Sequence, residues 1–300
     1  MQKKLKHRTA GKSAGILFIL PWIIGFLGLT LIPFICLFYF SLTQYDLLSA
    51  PKFIGIQNYV SVFTSDPKFW TSLKVTFIYA FVCTPIRLLV ALLVAMLLNT
   101  KHRMISVYRT LLYVPSIIGG SIAVSITWSK LLARDGAFNA LVFALTGVNP
   151  NISWVGDPNT ALGSLILMAI WQFGSPMLIF LAGLKNIPGS YYEAALVDGA
   201  NAFQRFYKIT LPLLSPVIFF NLVMQLISSF MTFTQALVIT NGGPLDTTLF
   251  YQLYVYRQGF EQFNMGYASA LSVVLLMIVA VFTSLVFKSS SAWVFYESKK

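Results

Sequence analysis

A row of hydrogen-bonding side chains recurs at helical spacing inside an otherwise apolar stretch. Its members recur at spacings of three and four residues, apart from one adjacent pair of serines, and therefore share one helix face: Asn221, Gln225, Ser228, Ser229, Thr232 and Gln235. Such a face is costly against lipid. These groups either hydrogen-bond to neighbouring helices or line a path for a solute rich in hydroxyl groups, because amides and hydroxyls both donate and accept. The sequence leaves both interpretations open.

Two more side chains in apolar stretches could contact a solute. Gln172 follows Trp171, whose ring face can stack on another ring. Arg87, two residues after Pro85, is the only charge well inside an apolar span. A mid-membrane Arg costs several kcal/mol unless it faces protein or water. Arg87 either pairs with an acid of a partner chain or attracts an anionic solute, and we favour the structural role.

The elements that position these residues are membrane helices. The chain of 300 residues is 57% hydrophobic and only 10% charged, whereas soluble proteins contain about 25% charged residues. We predict an all-α polytopic membrane protein with one domain over 1–300: a basic tail at 1–14, a six-helix core at 15–287 and a tail at 288–300. Stretches of about 20 or more apolar residues lie near 15–42, 71–98, 107–129, 160–184, 211–238 and 267–287.

Basic residues predict the orientation. With the N-terminus in the cytoplasm, fourteen Lys and Arg residues fall on inner segments: Lys3, Lys4, Lys6, Arg8, Lys12, Lys101, Arg103, Arg109, Lys185, Arg205, Lys208, Lys288, Lys299 and Lys300. The outer segments hold six: Lys52, Lys68, Lys74, Lys130, Arg134 and Arg257. This asymmetry follows the positive-inside rule and places both termini in the cytoplasm. The net charge of +12 therefore reflects topology and needs no nucleic-acid partner.

A polar segment at 188–212 separates the fourth and fifth apolar stretches. Ser190 and Glu193 have the spacing of a capping box, which predicts a short helix, and Gly199 can end that helix in a left-handed conformation. Asn201 can cap a second short helix before Pro212 opens the fifth span. We predict a cytoplasmic helix pair joined stiffly to two membrane helices.

The residues of this segment resemble the coupling-loop motif of ATP-binding-cassette import permeases. The matching positions are Glu193, Ala194, Ala195, Gly199, Ile209, Leu211 and Pro212. The likeness covers essentially the whole chain and is closest to the carbohydrate group that includes maltose and glycerol-phosphate importers. Further matching stretches are Leu20-Pro21-Trp22, Arg109-Thr110-Leu111-Leu112, Trp171-Gln172 and Thr240-Asn241-Gly242-Gly243-Pro244.

The resemblance implies a permease subunit in the plasma membrane of a prokaryote. Its implied partners are the lipid bilayer, a second, paralogous permease, a dimer of cytoplasmic ATPases and an extracytoplasmic sugar-binding protein. It implies that Glu193, Ala194, Ala195, Asp198 and Gly199 couple the permease to the ATPase. It also directs attention to Gln172, Gln225, Ser229 and Thr232 as sugar contacts, with Asn221 and Arg87 as further pathway candidates.

The source of energy is predicted to lie outside the chain. No Gly-x-x-x-x-Gly-Lys-Ser/Thr sequence is present, so ATP and Mg²⁺ are expected on a separate ATPase, and the chain itself is not expected to be an enzyme or to hold a cofactor. No Asp or Glu falls inside the six apolar spans, unlike in many ion-coupled transporters. His7 and His102 stand alone, so no metal site is predicted.

Two alternative functions remain open at this point. A membrane scaffold or sensory subunit would use the same docking segment without moving solute, but the polar row at Asn221–Gln235 would then lack an obvious purpose. An import permease for a non-sugar solute, such as an amino acid or a metal, fits less well because the first-helix and Gly-Gly-Pro patterns resemble the sugar group.

Overall fold

The computed structural model describes residues 12–100 and 102–295 and is predominantly helical. The predicted tails at 1–14 and 288–300 therefore fall partly outside the described residues. The α-helices are α1 Lys12–Phe26, α2 Ile32–Ser41, α3 Gln57–Thr64, α4 Pro67–Leu98, α5 Ile105–Ile118, α6 Ile122–Leu131, α7 Ala137–Thr146, α8 Ala161–Trp171, α9 Gly174–Asn186, α10 Gly189–Val197, α11 Ala202–Arg205, α12 Leu211–Phe230, α13 Tyr251–Tyr256 and α14 Met265–Trp293. Further π-helical segments are Leu27–Leu31, Phe206–Thr210, Ala236–Thr240 and Arg257–Glu261.

The chain divides into two compact units. The first comprises the residues before Ser65 together with Gln258–Val274, and the second comprises Ser65–Arg257 together with the residues from Leu275 onward. The single domain over 1–300 stays a prediction. The functional candidates in the polar row and the polar segment all lie in the second unit.

A short hairpin organises part of the first unit. Strands β1 Thr43–Gln44 and β2 Lys52–Phe53 pair antiparallel, with Thr43 opposite Phe53. Asn58 of α3 is buried, and its Nδ2 donates to the carbonyl oxygens of Ser41 and Thr43, each at 2.9 Å. One amide therefore satisfies two backbone acceptors where the first apolar helix ends, as buried polar groups require.

Apolar helices long enough to cross a bilayer confirm the polytopic all-α class. The described residues contain four such helices, Phe18–Ser41, Pro67–Leu98, Ala202–Phe230 and Met265–Trp293. Two helix pairs qualify only when taken together: α5 with α6 is bent by 98°, and α8 with α9 by 42°. These segments overlap the six predicted stretches. The number of spans and the cytoplasmic termini stay predictions.

The fifth apolar helix begins and ends earlier than predicted. We expected Pro212 to open it and the span to reach residue 238, but the helix starts at Ala202 and stops at Phe230. The helix passes Pro212 because the preceding segment Phe206–Thr210 is π-helical, so that the N–H of Leu211 donates to the carbonyl of Phe206. Pro33 follows the π-helical segment Leu27–Leu31 in the same way. Widening one turn accommodates a residue that has no N–H and whose ring collides with the fourth carbonyl before it.

The core of the second unit forms where α4 packs against α9 and α12. Its buried residues are Leu88, Ala91, Leu92, Ala95 and Leu98 from α4, Met177, Phe180, Leu181 and Leu184 from α9, and Leu214 from α12. Small residues let the helix backbones approach closely, which favours association within a bilayer. At Gly183 a Cβ atom would lie 2.8 Å from side-chain carbons of Leu214 and Val217, so α9 and α12 are already in tight contact.

Candidate functional site

A polar cavity of about 200 Å³ lies in the second unit where helices are interrupted. Gly120 lies in the break between α5 and α6, Gln172 lies in the break between α8 and α9, and α12 ends at Phe230. The cavity is lined by Tyr79, Arg87, Gly120, Ala169, Gln172, Ser228, Ser229, Met231, Thr232, Phe233, Thr234 and Gln235. Ligand pockets commonly measure roughly 300–1,000 Å³. This cavity therefore has room for one small group of a larger solute.

The carbonyl oxygen of Gln172 is the centre of a hydrogen-bond cluster. In an unbroken helix it would accept from the N–H four residues later, but that residue is Pro176, which has none. Arg87 replaces the missing donor by donating from Nε at 3.1 Å and also from Nη2. Ser116 Oγ donates to the same oxygen at 2.9 Å. The helix break thus creates an acceptor, and α4 and α5 supply its donors.

Arg87 braces the break between α8 and α9 from within its own chain, because the carbonyl of Gln172 accepts hydrogen bonds from its guanidinium. The acid of a partner chain that we expected as its structural partner stays a prediction. Arg87 as a whole is partly exposed, and it is one of the residues that line the cavity. Because it meets a carbonyl dipole rather than a carboxylate, its formal charge is not neutralised by this contact.

The side chain of Gln172 is held closely by its neighbours. It is buried, and its Nε2 donates to the carbonyl of Met168 at 3.4 Å. A Cβ atom added to Gly119 would collide with Cγ and Cδ of Gln172, so the absence of a side chain at Gly119 makes room for this amide. We did not predict this role of Gly119 from the sequence, although Gly119-Gly120-Ser121 is a recognisable helix-breaking pattern.

Ser229 and Thr232 both line the cavity but differ in environment. Ser229 is buried and shares a hydrogen bond of 3.0 Å with Thr84 of α4. This contact is the interhelical bond that we considered for single Ser and Thr residues. Thr232 lies just beyond the end of α12, with its Oγ1 3.5 Å from the carbonyl of Ser228. Its hydroxyl also hydrogen-bonds to Tyr79, another residue that lines the cavity.

Asn221 and Gln225 lie outside the set of residues that lines the cavity. Asn221 is fully buried, and its Nδ2 donates to the carbonyl of Pro176 at 3.4 Å. Oδ1 of Asn221 and Oε1 of Gln225 are buried and have no hydrogen-bond partner among the described residues. The polar row is thus divided: Asn221 and Gln225 lie among packed helices, while the members from Ser228 to Gln235 reach the cavity.

The polar segment at 188–212 contains α10 and α11 joined by a tight turn. The carbonyl of Ala195 accepts from the N–H of Ala200 at 2.8 Å, and that of Leu196 accepts from Gly199 at 3.1 Å. This pair of bonds is a Schellman motif, and Gly199 adopts its left-handed position with φ of +76°. Asn201 and Gln204 then form a capping box at the start of α11.

The predicted capping box at Ser190 and Glu193 is wrong. Helix α10 starts at Gly189 with Pro188 as its N-cap, and no side-chain cap hydrogen bond is present. Ser190 is already inside the first turn, and a cap residue must lie outside it with an extended backbone. Pro188 supplies that extended conformation with φ of −61° and ψ of 133°.

The coupling candidates form an exposed surface on α10 and the turn after it. Glu193, Ala194, Asp198 and Gly199 are exposed, and Ala195 is half-buried. Apolar side chains beside them are also open: Val197 is 89% exposed and Phe203 is 74% exposed. From the other side of the segment, Tyr192 Oη bonds to Thr210 Oγ1 at 2.9 Å and ties α10 to the base of the long helix.

Comparison with protein families identifies the class of the chain. Residues 59–290 match the family described as binding-protein-dependent transport system inner membrane component. The chain belongs to this family. As a transport-system inner membrane component, it is a membrane transport protein and not itself an enzyme, which confirms the predicted resemblance to import permeases and the predicted membrane location.

Individual relatives of this inner membrane component cover nearly its whole length. It is 55% identical over 300 residues to a probable ABC transporter permease, YesP, of Bacillus subtilis strain 168, covering 99% of this chain and 97% of that protein. It is 33% identical over 287 residues to the trehalose/maltose transport system permease MalF of Thermococcus litoralis, covering 94% and 95%.

A solved structure shares the fold of the inner membrane component. A crystal structure of a bacterial alginate ABC transporter in complex with an alginate pentasaccharide-bound periplasmic protein contains a chain that matches with a TM-score of 0.79 and 21% identity. The match covers 93% of this chain and 94% of that chain.

Proposed function

We propose that the chain is the permease subunit of an ATP-driven, binding-protein-dependent importer of oligosaccharides or related sugars. It forms half of the translocation pathway and couples closure of a separate ATPase to alternating access. The observation that carries this proposal is the unbroken helix Ala202–Phe230, which connects the exposed polar segment with the cavity. Its 29 residues span about 43 Å at 1.5 Å per residue. Movement at α10 can therefore be transmitted to Ser228 and Ser229 by this single helix.

The sugar substrate is supported by the relatives and by the chemistry of the cavity. Relatives are named for transport of starch degradation products, arabinooligosaccharides, and trehalose and maltose. Hydroxyl and amide groups at Ser228, Thr232, Thr234 and Gln235 can donate to and accept from sugar hydroxyls. Gln172, Ser229 and Thr232 remain the pathway residues that we propose to contact solute or to shape its path.

Energy comes from a partner in this proposal. ATP and Mg²⁺ bind to a dimer of cytoplasmic ATPases, one of which receives α10 against its surface. Glu193 and Asp198 supply polar contacts there, and Ala194, Ala195 and Gly199 allow close approach. A second, paralogous permease completes the pathway, and an extracytoplasmic binding protein delivers the sugar.

Co-purification with the ATPase tests the docking step. The variant Val197→Arg places a charge in the exposed apolar surface of α10, and Leu245→Arg is a matched control at an equally open position, since the two side chains are 89% and 87% exposed. We expect Val197→Arg to reduce recovery of the ATPase with the permease by about tenfold or more, because a desolvated, unpaired charge costs more than 1.4 kcal/mol. Leu245→Arg should leave recovery unchanged. Equal recovery of the ATPase with both variants would contradict docking at α10.

A further inference from the structure

Arg87 retains binding capacity after it has braced the helix break. Its Nε and Nη2 donate to the carbonyl of Gln172, whereas Nη1 makes no hydrogen bond to any residue that the structure describes. Nη1 is also absent from the buried polar atoms that lack a partner, so it is accessible, and the residue that carries it lines the cavity. A guanidinium has five N–H donors in a rigid fork. The contact with Gln172 holds the fork in place and leaves donors for a ligand.

The other residues that line the cavity carry no negative charge. They contribute hydroxyls from Ser228, Ser229, Thr232 and Thr234 and amides from Gln172 and Gln235, and none of the described lining residues is Asp or Glu. An Arg at this depth costs several kcal/mol unless it is paired or hydrated. A cavity with a fixed cation and neutral hydrogen-bonding groups fits a solute that brings both an anion and hydroxyls.

We propose that Arg87 binds the carboxylate of an acidic sugar, a uronic acid residue within the transported oligosaccharide. This inference rests on the proposed function and specifies its substrate class. The carboxylate accepts hydrogen bonds from the free side of the guanidinium, and the hydroxyl and amide groups at Thr232 and Gln235 face the hydroxyls of the same ring. Because bracing by the Gln172 carbonyl fixes the guanidinium, binding an anion requires little further ordering of a long side chain.

The test compares matched sugars in the reconstituted transporter. The complete complex, with second permease, ATPase and binding protein, is placed in proteoliposomes and given uronic acid oligosaccharides or the same oligosaccharides with each carboxyl reduced to an alcohol. The affinity of the binding protein for each sugar is measured separately, and uptake is compared at equal occupancy. Wild type, Arg87→Gln and Ser116→Ala are assayed in parallel. Ser116→Ala removes another donor to the Gln172 carbonyl and the acceptor of the Ser175 N–H without changing charge, so it reports on the structural role of this hydrogen-bond cluster.

The expected readout is the ratio of acidic to neutral uptake. We expect Arg87→Gln to lower this ratio at least about tenfold, which corresponds to about 1.4 kcal/mol, because the variant removes a charge-assisted hydrogen bond to the carboxylate. Ser116→Ala should leave the ratio within about twofold of wild type. Equal losses of both sugars in Arg87→Gln would assign Arg87 to bracing only and overturn the proposal. Wild-type import of neutral sugars alone would overturn it while leaving the proposed function intact, whereas no import of any sugar would contradict both.

Discussion

Gly174, the first residue of α9, has no room for a side chain. A Cβ atom there would lie 2.8 Å from the backbone oxygen of Leu112, from Oγ of Ser116 and from Cα of Tyr113. Backbone atoms cannot move aside as a flexible side chain can. Close contact between α9 and α5 therefore depends on this glycine, and the same contact brings Ser116 to the Gln172 carbonyl.

We predict that Gly174→Ala destabilises the permease by about 1–3 kcal/mol, the usual cost of overpacking. The matched control is Gly163→Ala in α8, where a Cβ atom would meet nothing within 4 Å. The control should be neutral or slightly stabilising, because Ala favours a helix more than Gly does. Thermal unfolding of the purified proteins in detergent measures both effects. A Gly174→Ala variant as stable as Gly163→Ala would show that α5 and α9 are not packed this closely.

The turn between α10 and α11 is the element that gives the docking surface its shape. Gly199 reverses the chain with φ of +76°, and a Cβ atom there would meet nothing within 4 Å. Replacing Gly199 therefore costs free energy through backbone strain and not through a steric clash. Asn accepts a left-handed conformation more readily than β-branched residues do.

We predict that Gly199→Val weakens coupling and that Gly199→Asn preserves it. The β-branched residue costs about 1–2 kcal/mol in the left-handed conformation, which favours other arrangements of the turn. The measurement is sugar uptake per ATP hydrolysed in the reconstituted complex, with Gly199→Asn as the control for loss of the glycine itself. Indistinguishable ratios for Val and Asn would refute the assigned role of this turn.

The N-terminal end of the helix Ala202–Phe230 allows a second prediction about a single structural element. Asn201→Ala removes the capping box with Gln204 and should cost about 1 kcal/mol, while Asn201→Asp keeps the cap. Since 1 kcal/mol corresponds to about a fivefold change in an opening equilibrium, amide hydrogen exchange near residues 202–206 should accelerate about fivefold in the Ala variant only. Exchange unchanged by Asn201→Ala would mean that the cap does not hold this end.

Much of the helical content of the whole molecule follows from its sequence, but the breaks do not. Long apolar runs identify the membrane helices because lipid leaves few alternatives for the backbone. The 98° bend after Ile118 and the passage of the fifth helix through Pro212 depend on how neighbours replace missing hydrogen bonds. The sequence placed Arg87, Gln172 and Ser229 in separate spans, and only packing of α4, α8 and α12 brings them to one cavity. Asn221 and Gln225 share the helix face of the polar row but do not line the cavity.

The predicted orientation can be tested with single cysteines in a chain whose native Cys36 and Cys83 have been replaced. Val197→Cys and Leu245→Cys place thiols at two highly exposed positions. We predict that a membrane-impermeant maleimide labels position 197 only in inside-out vesicles and position 245 only in right-side-out vesicles, as the distribution of Lys and Arg requires. Labelling of position 197 in right-side-out vesicles would contradict the predicted orientation.

Accumulation of sugar in sealed proteoliposomes tests the central claim most directly. Vesicles containing both permeases and the ATPase are supplied with internal ATP and Mg²⁺ and with loaded binding protein outside, next to vesicles that lack only the ATPase. We predict that labelled sugar rises inside above its external concentration in the complete vesicles and not in the others. Uphill accumulation in vesicles without the ATPase would contradict the account.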